Sequence, residues 1–251
     1  QIMPMKPTRI PYLLFDLGGT LLYFDGDWSQ TIRRFSQRLE DRLNAWGYTF
    51  PAGQIAAELF DRNQDHHLEP DPEYRELATA DLVTEVLAQH HIQLSPSRLR
   101  LALAAMYAVS EAHWWPEADA ALTLRQLRSE GYRLGVVSNA GDTLDVHALV
   151  QKAGLRSYFD FILVSASLGL TKPHPAIYQR ALAHWGVLPH QAAMIGDTPL
   201  ADIDGARGFG IHPIWITRRA PQGQQPSQPP AAVISTLAEL PPLLRTWNPQ
   251  P

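Results

Sequence analysis

The sequence predicts an α/β fold in which a parallel sheet, covered by helices on both faces, is interrupted by an all-helical insertion. Three observations carry this expectation. Short apolar runs alternate with helical stretches through most of the chain, the pattern of parallel strands joined by crossover helices. From about Ser29 to His113 the strands vanish and only helical periodicity remains. Three of four blocks of reactive side chains stand directly after an apolar run, at the carboxyl ends of strands, where chemistry in open parallel sheets collects.

The elements follow in order. Tyr12-Leu13-Leu14-Phe15 reads as a buried strand. Ile32, Phe35, Leu39, Leu43 and Trp46 recur at three and four residues, the stripe of an amphipathic helix, and Gly47 is placed to end it. Leu82, Val86 and Leu87 make a second stripe, and Leu101, Leu103, Ala104, Tyr107 and Ala108 a third. The polar stretch from Asp61 to Arg75, with Pro70 and Pro72, reads as a loop or short helices. Trp114-Trp115 stands where the insertion returns to the sheet and suits packing at a hinge. Beyond it the pattern gives a helix near Ala118–Glu130, a strand Arg133–Val137, and a helix capped by Asp142 and ended by Gly154. A strand Phe161–Val164, a helix Ala176–Trp185 and a strand Ala193–Ile195 follow, then a helix near Leu200–Gly208 and a strand His212–Ile216. Residues 221–230, rich in Pro and Gln, read as a surface loop, and 232–244 as a last strand and helix. The expected division is a core of residues 8–24 and 115–245 and a helical cap of residues 25–114.

Bulk properties narrow the function. The 251 residues, 45% of them apolar, suffice for a sizeable core. A net charge of −4 without a basic stripe gives no expectation of a nucleic-acid partner. The absence of cysteine excludes thiolate nucleophiles, disulfides and Cys-ligated zinc. No apolar run approaches the ~20 residues of a membrane span, so no membrane partner is expected. The apolar stretch after Lys6 and Arg9 is broken by Asp16, unlike a secretory signal, and a cytoplasmic location is the expectation. Oligomeric state has no signature in the sequence.

The four blocks carry the chemistry. Asp16-Leu17-Gly18-Gly19-Thr20 offers a carboxylate beside a tight turn whose glycines let the backbone approach an anion. Ser138-Asn139 supplies a hydroxyl and amides ahead of a helix, a seat for phosphate. Lys172, held between Thr171 and Pro173, can neutralise a phosphate and a nearby carboxylate; it is one of three lysines, the other eighteen of the 21 basic residues being arginine. Asp197 and Asp202 flank a turn that opens a helix and suit a hard cation such as Mg²⁺. Each block alone has an ordinary alternative: a strand cap, a turn, a solvated lysine, a helix N-cap.

Taken together, the blocks resemble the haloacid dehalogenase superfamily of hydrolases, in order and across nearly the whole chain. FDFILVSASLGLTKPHPAIY (Phe159–Tyr178) is similar to that family's third motif region, and GDTPLADIDGARGFG (Gly196–Gly210) to its fourth. The resemblance implies a Rossmann-like core, and the insertion resembles the helical cap of the family's small-metabolite phosphatases. It implies Asp16 as a nucleophile forming an aspartyl-phosphate, Ser138 and Asn139 as phosphate-binding residues, and Lys172 stabilising both Asp16 and the phosphate. Mg²⁺ would be held by Asp16, the Gly18 carbonyl and Asp197, with Asp202 at or beside it. The implied substrate is a small phosphorylated metabolite.

One position departs from the family's phosphatases, which carry a second Asp, the general acid/base, two residues after the nucleophile. Here it is Gly18. Glycine keeps the backbone carbonyl but provides no proton, help typically worth about 10²–10⁴-fold. Asp25 and Asp27 are candidates to replace it, and an activated leaving group would dispense with it. Three alternatives follow from the same glycine. A non-catalytic binding or regulatory domain is one, although it has little need of Asp16, Lys172 and Asp197. A dehalogenase works without the metal that Asp197 and Asp202 suit. A phosphonatase needs a cap lysine, and residues 21–131 contain none. Arg33, Arg34, His66, His67 and Trp28 are the cap candidates for substrate choice.

Overall fold

The computed structural model describes residues 10–68 and 71–248. Strand β1 (Tyr12–Phe15) is followed by β2 (Leu22–Phe24), and then by four helices, α1 (Trp28–Ala45), α2 (Gln54–Leu68), α3 (Thr79–Gln89) and α4 (Pro96–Glu111). β3 (Trp114–Pro116) pairs antiparallel with β2, so a short ribbon leads the chain into the helices and out again. Strand–helix alternation then resumes with α5 (Ala120–Ser129), β4 (Arg133–Ser138), α6 (Thr143–Lys152), β5 (Phe161–Val164), α7 (Pro175–Ala183) and β6 (Ala192–Gly196). α8 (Gly205–Phe209), β7 (His212–Ile216), β8 (Ala232–Ile234) and α9 (Leu240–Trp247) complete it.

Six strands form one sheet in the order β5–β4–β1–β6–β7–β8, all parallel. The alternation of a strand sends neighbouring side chains to opposite faces. Leu13 and Phe15 pack in a core with Leu124 and Leu127 of α5, Val146 and Val150 of α6 and Leu240 and Leu244 of α9. Leu14 packs on the other face with Ile177, Ala181 and Leu182 of α7 and Ala206 of α8. Both faces are covered, which is why β4 and β6 read as continuous apolar runs. The result is the α/β, Rossmann-like architecture predicted, with helices on both faces. The four helices of the insertion have a core of their own, built on Leu39, Leu43, Ile55, Leu59, Val83, Val86, Ala102 and Met106. No helix of the described residues is long and apolar enough to cross a membrane.

The structure corrects several local expectations. Of the loop or short helices expected over Asp61–Arg75, the first half is helical, as the end of the longer helix α2, which runs through Leu68; Pro70 lies outside the described residues, as do Lys6 and Arg9. The buried face of α4 is Ala102, Leu103, Met106 and Ser110, while Leu101 is 57% exposed. Helix α4 is apolar on several faces, so periodicity alone misplaced its stripe. The helix expected at Leu200–Gly208 is two pieces, a π-helical turn Pro199–Asp204 and α8. Trp114 and Trp115 lie in β3, a strand too short to show an alternation.

Candidate active site

β1 lies between β4 and β6, and the chain leaves the sheet in opposite directions from those two strands. That is the switch point at which α/β sheets open a crevice. Phe15 is in register with Val136 of β4 and with Ile195 of β6, so the residues at and just beyond the carboxyl ends of these strands converge: Asp16, Ser138-Asn139 and Asp197. Lys172 and Asp202 reach the same place from the loop after β5 and from the π-helical turn after β6.

Lys172 is the hub. Its Nζ donates to Asp16 Oδ1 at 2.6 Å and to Asp202 Oδ1 at 2.7 Å, with the lysine side chain only 1% exposed. Its backbone is fixed by a reciprocal pair with the Asn139 side chain: Lys172 N donates to Oδ1 at 2.8 Å, and Nδ2 donates to the Lys172 carbonyl at 3.0 Å. Asp202 is committed at both oxygens, the second accepting from Thr198 N at 3.0 Å. The backbone of Asp197 is anchored by Trp215 Nε1, which donates to its carbonyl at 3.0 Å.

Two glycines make the acid cluster possible. A Cβ at Gly196 would stand 2.2 Å from Asp202 Cγ, and one at Gly19, whose φ is +78°, 2.3 Å from Asp197 Oδ2. Gly18 is different: a Cβ there would stand 3.2 Å from Cη2 of the Trp114 indole. The ring of β3 thus occupies the space beside the position at which the resemblance leads one to expect an acid.

Asp16, Asp197 and Asp202 are all buried, and one carboxylate oxygen of each lies within 4.8 Å of the others. One ammonium does not neutralise three carboxylates. Burial pushes the Asp16 carboxyl up to about 6, with Asp202 adding to the rise and Lys172 opposing it. Burial, then Asp16 and Asp202, push Asp197 up to about 8. Burial disfavours the Lys172 ammonium, but Asp16 and Asp202 outweigh it and hold it charged well above the ordinary lysine range. A buried carboxylate set short of positive charge has the donor chemistry of a hard divalent cation, and the residues fit Mg²⁺.

The remaining sequence candidates divide. Trp28, Gly18, Ser138 and Asn139 line a common cavity. Asp27 caps α1, accepting from Gln30 N at 2.9 Å, and Asp25 N donates to the His113 carbonyl, so neither Asp lies in that wall. Arg33 stacks over Phe60 at 4.0 Å, and Arg34 lines a separate groove between α1 and α4. His66 and His67 fall in α2, with side chains outside the described residues. Sequence reasoning missed the parts played by Thr198 and Trp215 in fixing the acids, and by Trp114 beside Gly18. An aromatic pair at the return to the sheet was the visible signal for the last; its contact with Gly18 is a tertiary fact.

A family model described as a haloacid dehalogenase-like hydrolase matches residues 10–210. The chain is 37% identical over 118 residues to a phosphoserine phosphatase of Thermus thermophilus, spanning 47% of this chain and 45% of that protein, about half of each. It is 27% identical over 196 residues to a glyceraldehyde 3-phosphate phosphatase of Methanopyrus kandleri, spanning 70% of this chain and 83% of that one. Among solved structures, it superposes on a 2-haloacid dehalogenase from Pseudomonas syringae with a TM-score of 0.66 at 27% identity, covering 95% of this chain and 99% of the other.

Proposed function

For a chain that belongs to the haloacid dehalogenase-like hydrolases, we propose a Mg²⁺-dependent phosphatase of a small phosphorylated metabolite, with Asp16 as nucleophile and residues 25–114 as a cap over the site. The observation that carries this reading is the Asp16–Lys172–Asp202 ion-paired cluster with Asp197 beside it, a surplus of buried negative charge at the switch point. A haloacid dehalogenase is the second reading, favoured by Gly18 and by the dehalogenase fold likeness. It leaves the raised Asp197 carboxyl without a use.

In the proposed reaction an Asp16 oxygen attacks phosphorus, the bond from phosphorus to the leaving oxygen breaks, and an acyl phosphate forms on Asp16. Water then attacks phosphorus, releasing phosphate and restoring the carboxylate. Lys172 aims Asp16 and offsets charge on the transferring group. Asp202 holds Lys172 with both its oxygens engaged and so acts as a positioning residue rather than a metal ligand. Ser138 receives phosphoryl oxygens, and the Asn139 side chain acts by fixing the lysine. Asp16, the Gly18 carbonyl and Asp197 would hold Mg²⁺, which would supply charge neutralisation there.

Metal dependence has a sign that stability measurements detect. Asp16 and Asp197 bind protons in the folded, metal-free protein up to about 6 and about 8, against an ordinary 3.8. The folded state therefore holds more protons than the unfolded one across that window, and metal-free stability falls as pH rises through it. Asp145, pushed up to about 8 by burial and then by Glu111 and Asp142, adds to the same slope. The melting midpoint in chelator is expected to drop from pH 5 to pH 8, with Mg²⁺ raising it more at pH 8. Asp197→Asn should flatten the slope in part and remove the Mg²⁺ effect. A midpoint indifferent to Mg²⁺ at pH 8 refutes the metal assignment.

Gly18 gives a second expectation. With no acid there, wild type favours aryl or acyl phosphates over alkyl phosphates. Gly18→Asp alone presses its Cβ to 3.2 Å from the Trp114 ring, which must yield by a few tenths of an ångström, so it is expected to gain less than a variant in which that ring is trimmed. Gly18→Asp with Trp114→Leu should raise the alkyl-to-aryl rate ratio by about tenfold or more, within the range of general acid catalysis. Equal wild-type rates on the two classes, with chemistry limiting, would mean that another residue supplies the proton.

A further inference from the structure

The loop between α2 and α3 brings the insertion down onto the two loops that carry the proposed phosphate seat. Against the loop after β5, Thr171 N donates to the Tyr74 carbonyl at 2.8 Å and Thr171 Oγ1 to the same oxygen at 3.2 Å. Glu76 N donates to the Gly169 carbonyl at 3.0 Å, and Arg75 forms an antiparallel bridge with Leu170. Lys172 is the next residue of that loop. Against the loop after β4, Thr79 N donates to the Gly141 carbonyl at 2.9 Å. A Cβ at Gly141 would stand 2.6 Å from Thr79 Oγ1 and 3.3 Å from Thr79 N, so glycine stands where the insertion presses closest. Tyr74 has a φ of +55°, a left-handed conformation that a side chain resists and that persists only where its surroundings hold it. One side chain joins all three loops. Ser165, fully buried after β5, accepts from Ala140 N at 2.8 Å and donates to the Glu76 carboxylate.

We propose Glu76 as a positioning residue for phosphoryl transfer: through Ser165 it fixes the Ala140 amide, and so holds the Ser138-Asn139 seat and the Lys172 loop at the spacing the reaction requires. The inference rests on the phosphatase reading and adds a residue of the insertion to its machinery. The Ser165 hydroxyl has one proton to give. Its other acceptor is the Ala140 carbonyl at 3.2 Å, an uncharged partner. Hydrogen bonds to a carboxylate are roughly twice as strong as neutral ones, and a hydroxyl that donates to one is the better acceptor for the Ala140 N–H. Ala140 follows Asn139, whose side chain grips the Lys172 backbone at both its N–H and its carbonyl. The chain of contacts therefore runs from Glu76 through Ser165, Ala140, Asn139 and Lys172, and ends at Asp16. Glu76 acts along that chain, on the distance between the reacting groups. Small errors in that distance are costly, since a misplacement of ~1 Å loses about 10² in rate.

Turnover of 4-nitrophenyl phosphate with Mg²⁺ and amide hydrogen exchange of the metal-free whole chain test this together. Glu76→Ala is expected to lower kcat by about ten- to a hundredfold, with KM near wild type. It should also speed exchange at the Ala140 amide while the amides of β1 keep their protection, which a general loss of stability would not spare. Glu76→Gln still offers an oxygen to Ser165 and should recover most of both. Ser165→Ala breaks the same route, so the double variant with Glu76→Ala should lose no more than the worse single one. Should Glu76→Ala fail to fold, Ser165→Ala alone carries both readouts. Losses that multiply in the double variant, or wild-type kcat or wild-type Ala140 exchange in Glu76→Ala, overturn the inference and leave the phosphatase reading standing. No phosphate release by the wild type removes that reading, and the inference falls with it.

Discussion

Asp16→Asn should lower phosphate release by on the order of 10⁴–10⁶-fold, the scale of losing a nucleophile, while leaving the fold in place. The asparagine oxygen can still accept from Lys172 Nζ, and the side-chain volume is nearly unchanged, so no cavity opens beside β1. The effect belongs on kcat, because an amide cannot form the acyl phosphate, whereas binding of a phosphonate should persist. Rapid-quench phosphate assays and a melting curve on the same preparation separate the two. Retained turnover in a folded variant would remove Asp16 from the chemistry and favour the reading of a binding domain.

Lys172→Met should cost about 3 kcal/mol or more in chelator, since it leaves two buried carboxylates, Asp16 and Asp202, without their cation. For a chain of this size that is a fall of roughly 10 °C in melting midpoint. Some of the loss will be masked by protonation of the orphaned acids, so the deficit should widen as pH rises. Turnover should be lost as well. Mg²⁺ should stabilise this variant more than wild type, because a divalent charge at Asp16 and Asp197 substitutes in part for the missing ammonium. An unchanged midpoint would mean that the lysine is not the hub of the acid cluster.

Much of this site was legible in the sequence, for a physical reason. Strands buried on both faces are continuous apolar runs, so Tyr12–Phe15, Phe161–Val164 and His212–Ile216 can be read to the residue, and the polar residue that ends each run marks the carboxyl edge of the sheet. The identities of Asp16, Lys172, Asp197 and Asp202 were therefore available. Their division of labour was not. That Asp202 spends one oxygen on Lys172, and that Asn139 grips the lysine backbone, depends on loops meeting across 30 and 33 positions of sequence, while the second Asp202 oxygen turns back to Thr198 only four residues away. The ribbon β2–β3 was invisible because three-residue strands show no period. With it went the contact of Trp114 on Gly18, the clearest physical correlate of the missing acid. Helix α2 was hidden differently: its buried residues Ile55, Ala56, Leu59 and Phe60 crowd its first half, and the polar remainder resembles a loop.

One assay run two ways decides between a phosphate ester and a carbon–halogen bond as the target of Asp16. The chain is given 4-nitrophenyl phosphate in one vessel and 2-chloropropionate in the other, each with Mg²⁺ and with chelator, and phosphate and chloride are measured. The expected result is phosphate release that needs Mg²⁺ and disappears in Asp16→Asn, with no chloride. Chloride release indifferent to chelator, with no phosphate, would contradict the phosphatase and establish the dehalogenase in its place.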